Sequence, residues 1–204
     1  AAVTITGAIV LALVIARAVR GRTRMGSEVD AATYRTLHIA GRAAPHLRGG
    51  LTSTSAQGAA RHLRMLLGVD ALAITDRAAT LAWEGAGERA RDVAVAHARS
   101  TLDNGTVTVL PPERAREVSA MFKSGVSVPL TSDDVVIGAM VAYSAHRAGP
   151  PLIRAAEEVA TFTSGQLELA ELDRTRARSA EAEVRALRAQ ISPHFLFNSL
   201  TAIA

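Results

Sequence analysis

The stretch between Leu152 and Ser192 contains no proline and a single glycine, Gly165. It predicts one long helix that ends where Pro193 removes a backbone hydrogen bond and its ring clashes with the preceding turn. Residues recur along it with the alternating three- and four-residue spacing of a heptad seam. The pattern predicts a weak parallel coiled coil over residues 151–191; the alternative is a solvated single helix. The seam positions are Leu152, Ala156, Val159, Thr163, Gln166, Ala170, Asp173, Ala177, Ala180, Val184, Leu187 and Ile191.

The opposite end of the chain is apolar from Ala1 to Ala16, and a cluster of arginines follows between Arg17 and Arg24. A helix over the apolar run would span about 24 Å, close to the roughly 30 Å of a bilayer's hydrocarbon core. Arginines beside such a span mark its cytoplasmic side. We therefore interpret residues 1–19 as the C-terminal part of a transmembrane helix in the plasma membrane and residues 20–26 as a basic juxtamembrane segment. The remainder would lie in the cytoplasm.

Two alternatives for this apolar run are a signal peptide and a buried core helix. The charged leader and the small-residue cleavage site of a signal peptide are not found here. A core helix would not usually be followed at once by a cluster of arginines. Both alternatives are less consistent with the pattern than a membrane span.

The middle of the chain, residues 27–150, alternates helical and strand-like segments. Helices are predicted over residues 27–42, 55–67, 88–100 and 113–121, and strands over 69–75, 81–83, 106–110, 126–130 and 135–144. Pro45 and the pair Gly49–Gly50 are expected to break the first helix, and Gly68 is expected to end the second in a left-handed conformation. Trp83 and Tyr143 are expected in the core. The order of elements indicates an α+β fold with an antiparallel sheet and covering helices.

Composition excludes several chemistries. The chain has no cysteine, so disulfides, thiolate metal ligands and a thiol nucleophile are absent. Its formal net charge is +4, and the basic residues are interspersed with acidic ones. Aromatic residues are scarce, so the composition does not favour a nucleic-acid partner. The histidines before the long helix lack metal-ligand spacing and are interpreted as surface or hydrogen-bonded residues, with a haem ligand among them left open: His38, His46, His62, His97 and His146. No metal site is predicted.

Five short segments, three in the predicted α+β domain and two in the long helix, resemble landmarks of GAF domains: Val69–Asp76, Val128–Leu130, Val136–Ala139, Phe162–Thr163 and Gln166–Ala170. The resemblance implies a GAF-like sheet that binds a small molecule beneath its covering helices, or a domain that only dimerises and relays a signal. The residues do not choose between these two roles, and no ligand-binding residue is identified. A PAS-type sensor domain is the nearest alternative fold.

The last segment, Ile191–Leu200, follows the long helix. Ser192 suits an N-cap and Pro193 suits the first turn of a new helix, so a bend is expected directly before His194. Helical spacing places His194 and Asn198 on one face, opposite an apolar face. A neutral imidazole, with an ordinary pKa of about 6.5, can attack a phosphoryl group. An exposed histidine beside an asparagine does not by itself establish that chemistry.

The same segment closely resembles the phosphoacceptor box of LytS-type sensor histidine kinases. The resemblance implies that residues 192–204 begin a dimerising phosphoacceptor domain in which His194 accepts the γ-phosphoryl group of ATP and passes it to an aspartate of a cognate response regulator. Asn198 could hydrogen-bond near the reacting nitrogen. Phe195 stands where the larger histidine-kinase family has an acidic residue, so the general base is not identified.

ATP and Mg²⁺ are implied as cofactors of the full-length kinase, and a homodimer as its assembly. The asparagine box and glycine-rich motifs that hold Mg²⁺ and ATP in such kinases are not found among these residues. The chain alone is therefore expected to be inactive and to bind no cofactor. The alternative function is a membrane-tethered GAF module that binds a ligand or dimerises without kinase activity.

Overall fold

The computed structural model describes residues 33–34 and 36–190, with side chains as far as residue 187. The predicted transmembrane segment, the basic segment and the phosphoacceptor segment lie outside the described residues. Among the helices of the described part, none has an apolar stretch long enough to cross a bilayer.

Five strands form one antiparallel sheet whose order is β2-β1-β5-β4-β3. They are β1 (Ala71–Thr75), β2 (Thr80–Gly85), β3 (Thr108–Leu110), β4 (Ser124–Ser132) and β5 (Val135–Ser144). The strands β1 and β2 form a hairpin, and Asp76 closes it by accepting 2.7 Å hydrogen bonds from the N–H groups of Ala78 and Ala79. All of β1 is buried, because helices cover both faces of the sheet.

Side-chain alternation divides the core into two layers. Leu72 and Ile74 of β1 point to a layer formed by α1 (residues 36–47), α2 (Ser53–Leu67) and α5 (Pro150–Gln190). Ala71 and Ala73 point to the opposite layer, formed by a 3₁₀ turn (Glu88–Ala90), α3 (Val93–Asn104) and α4 (Pro112–Val118). The predicted α+β class with an antiparallel sheet and covering helices is confirmed.

The largest differences from the predicted boundaries are in the first and third predicted helices. The first helix continues through Pro45 to residue 47. Proline in the last turn removes only one backbone hydrogen bond, while Ala43 and Leu47 gain complete burial in the core. The helix predicted over residues 88–100 is instead a 3₁₀ turn followed by α3, which runs on to Asn104 and stops at Gly105 with a φ of 67°. The left-handed stop predicted at Gly68 is confirmed, with a φ of 62°.

The long helix α5 changes its environment along its length. Its first half packs on β4 and α2, where Ala156, Thr163 and Ala170 are buried. Ser164 Oγ of α5 also accepts a 2.9 Å hydrogen bond from the N–H of Thr131, in the part of β4 that extends beyond its pairing with β3. From residue 172 to 187 every described side chain is exposed. The first half of the predicted heptad seam therefore packs inside the chain's own core, and the exposed second half is free to meet a second copy.

Candidate functional site beneath α3

The predicted phosphoacceptor residues His194 and Asn198, and the bend at Pro193, lie outside the described residues, so their placement stays a prediction. Within the described part, the face of the sheet covered by α3 and α4 contains His97, Tyr143 and two buried hydroxyl groups without a hydrogen-bond partner. That face is the candidate site for ligand sensing, and it is described below from its centre outwards.

An aromatic cluster occupies the centre of this face. Tyr143, on the central strand β5, has its ring centroid 5.4 Å from that of Trp83 and 5.5 Å from that of Phe122. All three side chains are buried, so the expectation that Trp83 and Tyr143 belong to the core is confirmed. Such pairs add to the stabilisation from burial because their ring quadrupoles attract in tilted and offset arrangements.

His97 of α3 joins this cluster to α4. Its Nδ1 lies 2.9 Å from the hydroxyl of Tyr143, and its Nε2 lies 3.1 Å from Oε2 of Glu117. Burial raises the pKa of Tyr143 far above its ordinary value, so the hydroxyl keeps its proton and donates to Nδ1. Nε2–H then donates to the carboxylate of Glu117, an assignment that follows from the hydrogen-bond network. One side chain thus links β5, α3 and α4, and the interpretation of His97 as a hydrogen-bonded residue is confirmed.

Sequence reasoning did not separate His97 from the other histidines, although a signal was available. Ala94, Ala98, Thr101 and Leu102 are the other buried residues of α3, and His97 falls on the same helical face. A polar residue on an apolar helix face needs a buried partner. Its partners lie far away in sequence, so spacing alone could not identify them.

Burial lowers the pKa of His97, and the positive charge of Arg114 lowers it further, while the hydrogen bond and the charge of Glu117 oppose the shift. The side chains that face the imidazole are the hydroxyl of Tyr143 on β5 and the carboxylate of Glu117 on α4, which Arg114 approaches at 3.7 Å. The neutral imidazole is therefore the form that the folded chain prefers.

This preference predicts that the chain loses stability on acidification. As the pH falls below about 6.5, His97 becomes protonated in the unfolded chain before it does in the folded chain. The free energy of unfolding therefore decreases as the pH is lowered. The slope from this one group is at most about 1.4 kcal/mol per pH unit. Urea unfolding of the wild type between pH 7 and pH 5 should show the loss, and His97→Gln should reduce the slope. The exposed His38→Gln is the control and should keep it; an unchanged slope in His97→Gln would contradict the prediction.

Two buried hydroxyl groups on the same face have no hydrogen-bond partner: Thr75 Oγ1 and Ser127 Oγ. The neighbours of Ser127 in β4, Val126 and Val128, point to the layer formed by α1, α2 and α5, so strand alternation directs the side chain of Ser127 toward α3. Thr101 of α3 donates a 3.3 Å hydrogen bond to the carbonyl of Ser127. An unpaired buried hydroxyl costs about 1–3 kcal/mol. The neighbouring floor is formed by small side chains, Ala73 and Ala139 among them. This face therefore holds polar groups that a ligand could satisfy.

Two of the domain's surface grooves lie beside α5 and α3. One, of about 490 Å³, lies between β4 and α5 and is lined by Pro129, Glu157 and Glu168 among others. The other, of about 550 Å³, lies beside the start of α3 and includes Arg91 and Arg99. The guanidinium of Arg91 already donates to the carbonyl of Thr80 at 3.0 Å, so it serves the fold. Within residues 33–34 and 36–190, no three histidine, aspartate or glutamate side chains converge as a metal site requires.

Comparison with solved structures defines the class of this fold. The chain is similar to the GAF domain of A. aeolicus nlh2 in an inactive state, with a TM-score of 0.51 and 12% identity over 67% of the chain and 98% of that domain. It is also similar to the phycoerythrobilin-bound GAF domain of a cyanobacterial phytochrome, with a TM-score of 0.51 and 14% identity over 68% of the chain and 97% of that domain. The fold is that of a GAF domain, which supports the GAF prediction over the PAS alternative.

Sequence comparison leads to particular relatives. Residues 182–204 match the histidine kinase family model. The chain is 30% identical to Sensor protein LytS of Bacillus subtilis and 25% identical to Sensor histidine kinase/phosphatase LytS of Staphylococcus aureus, over 84% of the chain in both cases. It spans about 30% of the length of these relatives. The predicted resemblance to LytS-type sensor histidine kinases with a GAF-like domain is thus confirmed.

Proposed function

We propose that this chain is the sensor half of a two-component histidine kinase in which His194 is the phosphoacceptor. The observation that carries the proposal is the segment Ile191–Leu200, which lies inside the stretch that matches the histidine kinase model. His194 would accept the γ-phosphoryl group of ATP and transfer it to an aspartate of a response regulator. Asn198, one turn further along a helix, would orient the imidazole.

ATP and Mg²⁺ belong to the full-length kinase in this proposal. Phosphoryl transfer depends mainly on positioning and on stabilising the charge of the transferred group, and the motifs for both tasks are not found in these 204 residues. The described chain would therefore supply the phosphoacceptor and its control, and a catalytic region elsewhere in the full-length protein would supply ATP.

The proposed arrangement places residues 1–19 in the plasma membrane, with residues 20–26 at its cytoplasmic surface and the GAF domain, residues 27–150, beneath it. The exposed second half of α5 would pair with the same helix of a second copy, because Val184 and Leu187 on the predicted seam are about half exposed. Asp173 weakens this seam, so its rotation or register could change at little cost. Such a change would alter the bend at Pro193 and hence the access of His194 to ATP.

The role of the GAF domain as a ligand sensor rests on the α3-covered face. Movement of α3 would expose Thr75 and Ser127 to a small polar molecule and would break the contacts of His97. We do not propose that this chain binds a bilin, because its similarity to the phytochrome domain concerns the fold alone. The second candidate function, a GAF module that binds a ligand or dimerises without kinase activity, is favoured by the same buried groups.

Radiolabelling with [γ-³²P]ATP and Mg²⁺ separates the two functions. The full-length protein in membranes should take up label that is lost in acid and kept in alkali, as a phosphoimidazole requires, while the isolated 204-residue chain should take up none. Label on the isolated chain would contradict its proposed inactivity. A full-length protein without label would support the module without kinase activity.

A further inference from the structure

The helix α5 makes its last described contact with the sensor domain through Arg174. Ala170 is the last buried residue of the helix, and the described side chains from residue 172 onward are exposed. Within this exposed part, the guanidinium of Arg174 reaches back and donates a hydrogen bond from Nη2 to the carbonyl oxygen of Gly49, in the turn that follows α1. Beyond this point α5 extends to Gln190, and its side chains as far as residue 187 are exposed.

The turn between α1 and α2 is shaped to receive this guanidinium. Gly50 has a φ of 72°, a left-handed conformation that favours glycine, and a Cβ at this position would collide with Arg174. The turn is fixed on both sides, because Gly50 N–H donates to Leu47 O at 2.9 Å and Thr52 N–H donates to Gly50 O at 3.0 Å. Thr52 is also the N-cap of α2, accepting a 3.2 Å hydrogen bond from Ser55 N–H. The end of α1, the start of α2 and the exit of α5 therefore meet at one place.

The charges at this junction favour the contact. The last carbonyl groups of a helix lack intrahelical partners and carry the negative end of the helix dipole, so a cation beside the end of α1 is favourable. Glu171, one turn before Arg174 on α5, lies 3.6 Å from its Nη1 and holds the guanidinium in place. We call the group formed by Gly49, Gly50, Glu171 and Arg174 the exit contact. Gly50 is buried, but Gly49 and Arg174 are exposed to solvent, so the hydrogen bond between them can break and re-form while the core stays intact.

We propose that the exit contact couples the position of α1 to the direction in which α5 leaves the domain. α1 is the described helix that follows the predicted membrane segment in sequence, and its buried residues Ala43 and Leu47 share one core layer with α5. A displacement of α1 would move the turn, and Arg174 would pass this movement to the helix that leads to His194. This route does not cross the α3-covered face, so the membrane side and the ligand face would act on α5 independently. The effect on His194 rests on the proposed function; the α1–α5 link does not.

Amide hydrogen exchange of the 204-residue chain tests the link itself. Arg174→Ala should speed exchange at least threefold in the α1–α2 turn, residues 48–52, and in α5 around residues 171–178. Arg174→Lys should give a smaller effect, because an ammonium group lacks the planar fork of a guanidinium. Arg185→Ala is the matched control: Arg185 is exposed on the same helix, has no described contact with the domain, and should leave both segments unchanged. Unchanged exchange in Arg174→Ala would overturn the proposal whatever the kinase does.

Autophosphorylation of the full-length protein tests the coupling. Arg174→Ala should change the initial rate at least threefold, and Arg185→Ala should not. Glu171→Gln should change the rate in the same direction, because it removes the carboxylate 3.6 Å from the guanidinium, and the double variant should differ from Arg174→Ala by less than twofold. An unchanged rate in Arg174→Ala would overturn the coupling. So would a double variant whose rate change equals the product of the changes in the two single variants. If the wild type is not phosphorylated, the coupling to His194 fails together with the proposed function, and exchange alone decides the α1–α5 link.

Discussion

Replacement of His194 by glutamine in the full-length protein is expected to reduce ATP-dependent phosphorylation below detection. Glutamine fills a similar volume but has no nucleophilic nitrogen, so no phosphoimidazole can form. Helical spacing places residue 194 opposite the apolar face of its segment, and substitutions at such exposed positions usually change stability by less than about 0.5 kcal/mol. The loss should therefore appear in ³²P incorporation and not in the thermal unfolding curve or in the dimer fraction measured by light scattering.

A matched histidine variant makes this result specific. His38→Gln alters an exposed histidine of α1 and should keep normal labelling. Asn198→Ala should reduce the rate without abolishing it, because an orienting hydrogen bond contributes less than the nucleophile itself. Retained phosphorylation in His194→Gln would refute the assignment of the phosphoacceptor. Loss of the dimer in the same variant would instead indicate a structural role for residue 194.

The elements of the fold could be predicted where local rules act alone. Apolar runs bounded by short polar links located β1 and β5, and the left-handed preference of glycine located the end of α2 at Gly68. Prediction failed at Pro45, where burial of Ala43 and Leu47 outweighs the cost of a proline in the last turn. That balance depends on what α1 packs against, which its own sequence does not specify.

The heptad pattern of α5 shows a second limit of sequence reasoning. Spacing identifies a face of a helix but not the partner that covers it. Ala156, Thr163 and Ala170 fit the predicted seam between two copies, yet in the structure they pack on the chain's own sheet and helices. Only the part after Ala170 is left exposed for a second copy. The predicted coiled coil, if it forms, therefore has to share one face of α5 with the sensor domain.

The proposed phosphoacceptor and the buried network differ in what the sequence shows of them. The role proposed for His194 rests on ten consecutive residues, and predicting it needs neither the fold nor a partner residue. His97 depends on Tyr143 and Glu117, which are 46 and 20 residues away, and only the folded chain brings these groups together. Arg174 and Gly49, 125 residues apart, were invisible for the same reason. The proposed regulation thus depends on contacts that local sequence motifs do not reveal.

Replacement of Tyr143 by alanine is expected to give the largest loss of stability that a single truncation in the α3-covered layer produces, about 3–5 kcal/mol. The change opens a cavity between Trp83 and Phe122 and leaves Nδ1 of His97 without its donor. Tyr143→Phe separates the two effects, because it keeps the ring and removes only the hydroxyl, at a cost of about 1–3 kcal/mol for the unpaired buried nitrogen. Urea unfolding at pH 7 measures both. A loss below 1 kcal/mol in Tyr143→Ala would show that α3 and α4 pack independently of the aromatic cluster, and the proposed ligand face would then lack the rigid floor on which it rests.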